Sequence, residues 1–312
     1  MYAKLSPMLA PNKLLGMDIP FEELKFPYLL STKYNGIRGL FLGKNLVSRT
    51  GKPVQIHPIV LSYFKAIQNY AEENDMVLDG EFHSNTFNTV GETRSILAGT
   101  KPLPRDFKFK CFYAMPRREW NVPEREMRLN LPPTVGLARY EGIVQIPLTN
   151  VEDLYQRIDM YKNRGIEGFM LLDPSSKYKH GRVTLKAKSL IKYKYYLDKE
   201  DAVIIGITAR RERVSGGKVN PFGYAETSYS RKDFVDINVG GMLTVKNEVG
   251  EVFSVPFPLG YSLEDRRVSF EMFGKGGLYD LKSKWVCFRR LSCESEGKPI
   301  SIKQVEVRDD KE

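Results

Sequence analysis

The spacing of the apolar runs constrains the fold of this chain more than any other feature. The runs are short, and Gly, Pro and Asn punctuate them. Residues 28–32 lead into a turn at Asn35-Gly36. Residues 39–42 and 46–48 flank the hairpin turn Gly43-Lys44-Asn45. Runs of this length bounded by turn formers read as strands. Helical spacing shows clearly in two places. Residues 57–73 carry Ile59, Val60, Tyr63, Phe64, Ile67, Tyr70 and Ala71 at i, i+3, i+4 intervals. Residues 151–164 carry Val151, Leu154, Tyr155, Ile158 and Tyr161, with Glu152 and Asp153 in the first turn and Lys162 and Arg164 in the last. That charge order suits a helix dipole. Thr149 or Asn150 can cap its start, and Gly165 is the expected left-handed stop. The expected class is α+β: antiparallel sheets with a few flanking helices.

The chain has 312 residues, enough for about two domains. Residues 197–201 form a short charged and polar stretch read as a hinge. This places one domain at residues 1–198 and a second at 199–312. The second is dense in short strands with Gly-rich turns such as Gly240-Gly241 and Gly276-Gly277, a pattern that suits a small Greek-key barrel of the oligonucleotide-binding (OB) type. No apolar run reaches the roughly 18 residues of a membrane span. Three cysteines and three histidines, all scattered, exclude a disulfide framework or a Cys/His metal site and lead us to expect a cytoplasmic protein. Lys and Arg number 48 against 38 Asp and Glu, a net charge of +10. A basic excess of this size favours a polyanionic partner.

Several short motifs place charge at strand ends. Lys33-Tyr34-Asn35-Gly36-Ile37-Arg38 follows the first strand, Asp79-Gly80-Glu81 ends another, and Glu167-Gly168 opens a third. Lys192 and Lys194 share one strand face at period two. Arg308-Asp309-Asp310-Lys311 stands at the C-terminus. Each alone reads equally well as a solvated turn, a surface strand or a frayed tail.

Their order is far more specific. Together with Ser48-Arg49-Thr50-Gly51 and Phe112-Tyr113-Ala114, the series resembles the nucleotidyltransferase motifs of ATP-dependent DNA ligases, a superfamily shared with RNA ligases and mRNA capping enzymes. The compact length is similar to that of the short bacteriophage-type ligases. The resemblance spans nearly the whole chain. It implies an ATP-grasp-like nucleotidyltransferase (adenylation) domain followed by an OB-fold β-barrel, and an enzyme that seals 5′-phosphate/3′-hydroxyl nicks in duplex DNA for repair or replication. It implies ATP and Mg2+ as cofactors, nicked duplex DNA as partner, no membrane, and a monomer.

The resemblance also assigns roles. Lys33 would be the nucleophile that forms lysyl-AMP, with Lys192 and Lys194 as catalytic cations. Thr32, Arg38, Arg49, Glu81, Tyr113, Arg308, Asp310 and Lys311 would bind ATP, Tyr113 by stacking on the adenine with Phe112 facing the opposite side. Glu81 and Glu167 would hold the metal. Two positions depart from the family: Asn35 stands where DNA ligases carry Asp, and Ser31 where many carry Glu. Lys186-Ala187-Lys188 is a rival for the paired lysines. An RNA ligase, or an inactive nucleotidyltransferase fold kept for nucleic-acid binding, are the alternatives.

Overall fold

Period-two alternation organises the first half of the chain. In the computed structural model the described residues are 6–87, 89–120, 127–128, 133, 135–162, 166–196, 198–213, 234–290 and 302–308. The chain divides into two compact units, Met1–Tyr195 and Tyr196–Glu312.

The strands of the first unit are β1 (Tyr28–Lys33), β2 (Ile37–Leu42), β3 (Asn45–Ser48), β4 (Met76–His83), β5 (Lys108–Pro116), β6 (Met127–Arg128), β7 (Tyr140–Gly142), β8 (Ile146–Leu148), β9 (Gly168–Leu172), β10 (Lys177–Tyr178) and β11 (Leu190–Lys194). Its helices are α1 (Pro58–Ser62), α2 (Lys65–Glu73), α3 (Val90–Leu97), α4 (Arg117–Trp120) and α5 (Val151–Tyr161). One sheet runs β11-β9-β1-β8 and the other β3-β2-β4-β5-β7, while β10 and β6 form a separate ribbon. All pairings are antiparallel except β5 with β7.

Each strand sends alternate residues to opposite faces. Leu40 of β2, Val77 of β4, Leu172 of β9 and Leu190 of β11 meet in one core between the sheets. Their sequence neighbours point the other way. Phe41 and Leu78 pack under α1–α3 with Phe64, Phe82, Phe107 and Phe109. Leu30, Leu171 and Ile191 pack under α5 with Leu154 and Ile158. The layers are helices, sheet, sheet, helix. Each fully buried Phe or Leu contributes roughly 1.5–3 kcal/mol relative to exposure.

The expected helix over residues 57–73 is two helices, α1 and α2, broken at Tyr63-Phe64, where Phe64 has φ −105° and ψ 6°. The break seats Phe64 at 0% exposure with its ring 5.1 Å from Phe82 and leaves Tyr63 exposed. Burial of the ring outweighs an unbroken helical ladder. Helix α5 is capped by Asn150, which accepts from the Asp153 N–H at 2.8 Å. Arg164 and Gly165, expected at its end, lie outside the described residues.

The second unit has one five-stranded antiparallel sheet, order β14-β13-β12-β15-β16, from β12 (Glu200–Arg213), β13 (Phe234–Asn247), β14 (Val252–Pro256), β15 (Trp285–Arg289) and β16 (Lys303–Arg308). Helix α6 (Leu263–Met272) starts in a capping box made by Ser262 and Asp265. Ala202, Ile204, Leu243, Val245, Val286 and Phe288 form the core. Among the described residues these five strands form one sheet, and no ladder pairs β14 with β16. No described helix is long and apolar enough to cross a membrane.

Candidate functional site

The turn from β1 to β2 joins one sheet to the other and carries the Lys33–Arg38 motif. Its glycine is obligatory: a Cβ on Gly36 would sit 2.1 Å from the Phe82 carbonyl oxygen. The Gly36 N–H donates to Glu81 Oε1 at 2.7 Å, which ties the turn to β4. Lys33 closes β1 directly opposite Gly168, and Lys194 of β11 faces the same glycine from the other side. Gly168 has φ +154°, and a Cβ there would lie 2.1 Å from the Tyr193 carbonyl oxygen. The close approach sets Glu167, just before Gly168, between two lysines. Its Oε2 pairs with Lys33 Nζ and its Oε1 with Lys194 Nζ at 2.7 Å.

Around this pair opens a cavity of about 470 Å³ at the rim of the inter-sheet core. Of the expected site residues, Thr32, Lys33, Arg38, Arg49, Glu81, Tyr113, Glu167 and Lys192 line it. Lys194 reaches it through Glu167. The rival Lys188 pairs instead with Glu23 at 2.6 Å. Arg308 belongs to the second unit, where it pairs with Asp201 at 2.9 Å, and Asp310 and Lys311 lie outside the described residues.

Electrostatics are dominated by cations. The Lys192 amine is pushed down to about 8, first by burial and then by Lys194, Arg182, Lys33 and Arg49. Burial raises the Glu167 carboxyl, but Lys33 and Lys194 together hold it below the usual carboxylate range. Glu81 is raised, chiefly by burial, with Glu167 adding to the shift. Five cations facing two carboxylates make a pocket suited to a polyphosphate. No three His, Cys, Asp or Glu side chains gather as a metal site among the described residues. Glu81 and Glu167 are hard oxygen donors that could hold a divalent cation together with phosphate oxygens.

Arg38 is itself held. Its Nε donates to Asp79 Oδ1 at 2.8 Å and its Nη2 to Asp79 Oδ2 at 2.6 Å, while the guanidinium lies 5.7 Å from the centre of the Phe112 ring. Asp79 is 0% exposed and also accepts from the Tyr178 hydroxyl at 2.7 Å.

Phe112 does not face away from Tyr113 as expected. The β4–β5 register shifts between Asp79↔Tyr113 and Gly80↔Cys111, so Phe112 is the extra residue of a β-bulge. The bulge breaks the period of two, and both rings line the cavity. Tyr113 is 6% exposed and packs on Tyr178; Phe112 is the more open of the two. Sequence reasoning missed Met170 in the lining; the resemblance marks Tyr178, Lys179, Gly181 and Arg182 as a loop near phosphate, and of these Arg182 lines the cavity while Tyr178 instead holds Asp79.

No protein-family model matches the chain, and no curated protein matches it. Solved structures do. A Lig E DNA ligase, described as binding DNA with a minimal scaffold, aligns at 19% identity and a TM-score of 0.58, over 90% of this chain and 92% of that one. Pmar-Lig_Pre aligns at 16% identity and a TM-score of 0.63, over 93% of this chain and 65% of that one. Pmar-Lig_PreS3 aligns at 14% identity and a TM-score of 0.66, over 97% and 67%. This chain thus spans about two thirds of the length of both Pmar-Lig chains and nearly the whole of the Lig E chain. At these identities the likeness is one of architecture, and the chain has the fold of a DNA ligase.

Proposed function

We propose that this protein is an ATP-dependent DNA ligase that seals 5′-phosphate/3′-hydroxyl nicks in duplex DNA. One observation carries the reading. Lys33 ends β1 at the mouth of a cation-rich cavity, and Glu167, shared with Lys194, holds its amine there. A surface lysine in a turn would not need a buried carboxylate, an invading glycine and a second lysine arranged around it.

In this reading Lys33 Nζ attacks the α-phosphate of ATP. The N–P bond forms as the bond to the pyrophosphate oxygen breaks, and Glu167 is the acceptor at hand for the amine proton. Lys192 and Lys194 offset the charge that develops on the phosphate. Phe112 offers its more open ring to the nucleobase with Tyr113 packed beside it in the inter-sheet core, and Arg49 and Arg182 offer guanidinium groups to phosphate. The AMP then passes to the 5′-phosphate of the nick, and the 3′-hydroxyl displaces it. Two carboxylates beside a phosphate suit Mg2+, which would be held by Glu81 and Glu167 and would neutralise phosphate charge. Arg308, Asp310 and Lys311 are proposed to orient the leaving pyrophosphate. The first unit is the proposed adenylation domain and the second the proposed OB-fold domain. The basic excess would serve the duplex backbone.

Incubation with ATP labelled in the α-phosphate tests the reading. The wild type should become labelled and release the label to nicked duplex DNA, while Lys33→Ala should carry none. A wild type without label, or equal labelling of Lys33→Ala, overturns it. Preference for RNA on both sides of the nick would redirect it to an RNA ligase.

A further inference from the structure

The three-residue turn Tyr34-Asn35-Gly36 follows directly on Lys33 and links β1 to β2. Cross-strand register places a stripe of polar side chains beneath it on one face of the second sheet. Glu81 of β4 stands opposite Lys110 of β5, Lys110 stands opposite Glu141 of β7, and His83 lies two residues beyond Glu81. Residues two apart on a strand share a face. Glu81 takes the Gly36 N–H. The Tyr34 ring lies 4.8 Å from the His83 ring, and Lys110 Nζ lies 4.4 Å from the centre of the Tyr34 ring.

Lys110 is only 5% exposed and has Glu141 as its ion-pair partner at 3.1 Å. His83 is 7% exposed, and its Nδ1 has no hydrogen-bond partner among the described residues. Burying such groups is costly, and apolar residues of like volume would often be at least as stable. Stability alone therefore gives no reason for a lysine and a histidine under this turn. A cation on an aromatic face and a tilted ring pair do fix a ring in place.

We propose that Tyr34 is a positioning residue for Lys33, clamped by Lys110 and His83 so that the β1–β2 turn presents the lysine amine to its target. This rests on the lysyl-AMP reading above. Tyr34 also lines the cavity, so the test must separate positioning from binding.

The test is single-turnover labelling from α-labelled ATP in the full chain, with rate and half-saturating ATP measured for each variant and melting temperature recorded. Tyr34→Leu should slow labelling at saturating ATP by ~10- to 100-fold, the scale of an ångström-sized misplacement, at unchanged half-saturation. Tyr34→Phe, which keeps the ring, should restore most of the rate. Lys110→Gln should slow it in the same sense and decides the matter if Tyr34→Leu fails to fold. A wild-type rate in folded Tyr34→Leu or Lys110→Gln overturns the proposal. So does a raised half-saturation with an unchanged maximal rate, or a Tyr34→Phe as slow as Tyr34→Leu. Absence of label on the wild type would instead sink the ligase reading, and the clamp with it.

Discussion

Arg38 and Asp79 form a two-point ion pair in the cavity wall, Nε to Oδ1 at 2.8 Å and Nη2 to Oδ2 at 2.6 Å, with the carboxylate fully out of solvent. Removing one partner of a buried pair strands the other charge, at a cost of about 3–5 kcal/mol. Asp79→Ala and Arg38→Ala should each lose stability on that scale by urea unfolding. The double variant should lose clearly less than the two combined. Simple additivity would show that the two side chains do not depend on each other.

Glu167 links folding to pH. Its carboxyl is depressed in the folded chain because Lys33 and Lys194 outweigh its burial. A depressed carboxylate contributes stability that is complete above its unfolded value, near ~4.3, and is lost as pH falls through the folded value. Glu167→Gln should therefore flatten the loss of stability below pH ~4.3, since one proton fewer is taken up on unfolding there. Unfolding free energies measured from neutral to acid pH on both proteins check this. Parallel curves would mean that Glu167 titrates alike in both states.

Much of the site is legible in the sequence because its parts obey strand geometry. Lys33 follows an apolar run and Lys192 and Lys194 alternate with Tyr193, whereas Asp79-Gly80-Glu81, expected at a strand end, lies inside β4, which runs on to His83. Glycines at 36 and 168 mark close backbone approaches. What escapes is whatever depends on packing. Nothing local to Phe112 announces a bulge, which arises from how β5 meets β4. The break at Phe64 follows from a core of rings supplied by β2, β4 and β5. Tyr178 reaches Asp79, and Lys110 reaches Tyr34, across separations that no spacing rule covers.

Lys192 gives the site a pH dependence in the neutral range. Its amine is pushed down to about 8, by burial first and then by neighbouring cations. Below that value it is an ammonium that attracts the triphosphate; above it the attraction is lost. The dependence of kcat/KM on pH reports groups of the free enzyme. The kcat/KM for ATP in self-labelling should fall as pH rises through about 8. Lys192→Arg, charged throughout, should remove that limb. A wild-type profile level across this range would refute the assignment.

The net charge of +10 predicts different salt responses for the two halves of the reaction. Neutralised backbone phosphates release counterions, so duplex binding weakens steeply between about 50 and 200 mM salt. Joining at sub-saturating nicked DNA should fall accordingly, whereas self-labelling with saturating ATP should change little. Equal sensitivity of the two steps would remove the duplex backbone as the reason for the basic excess.

Phe112 and Tyr113 are adjacent, yet the bulge gives them different tasks. Phe112 has Arg38 on its ring and the more open face toward the cavity. Tyr113 is 6% exposed, edge-on to Tyr178 at 5.9 Å, within the inter-sheet core. Stacking of a base on an aromatic ring is worth ~1–3 kcal/mol, roughly 5- to 150-fold in affinity. Phe112→Leu should raise half-saturating ATP within that range and leave the melting temperature near wild type. Tyr113→Leu should do the reverse, since it opens a void beneath Tyr178 and orphans buried packing. Half-saturation and melting temperature measured on both variants distinguish the assignments. If Tyr113→Leu weakens ATP binding at full stability while Phe112→Leu does not, then Tyr113 is the platform and the bulge serves only to shape the strand.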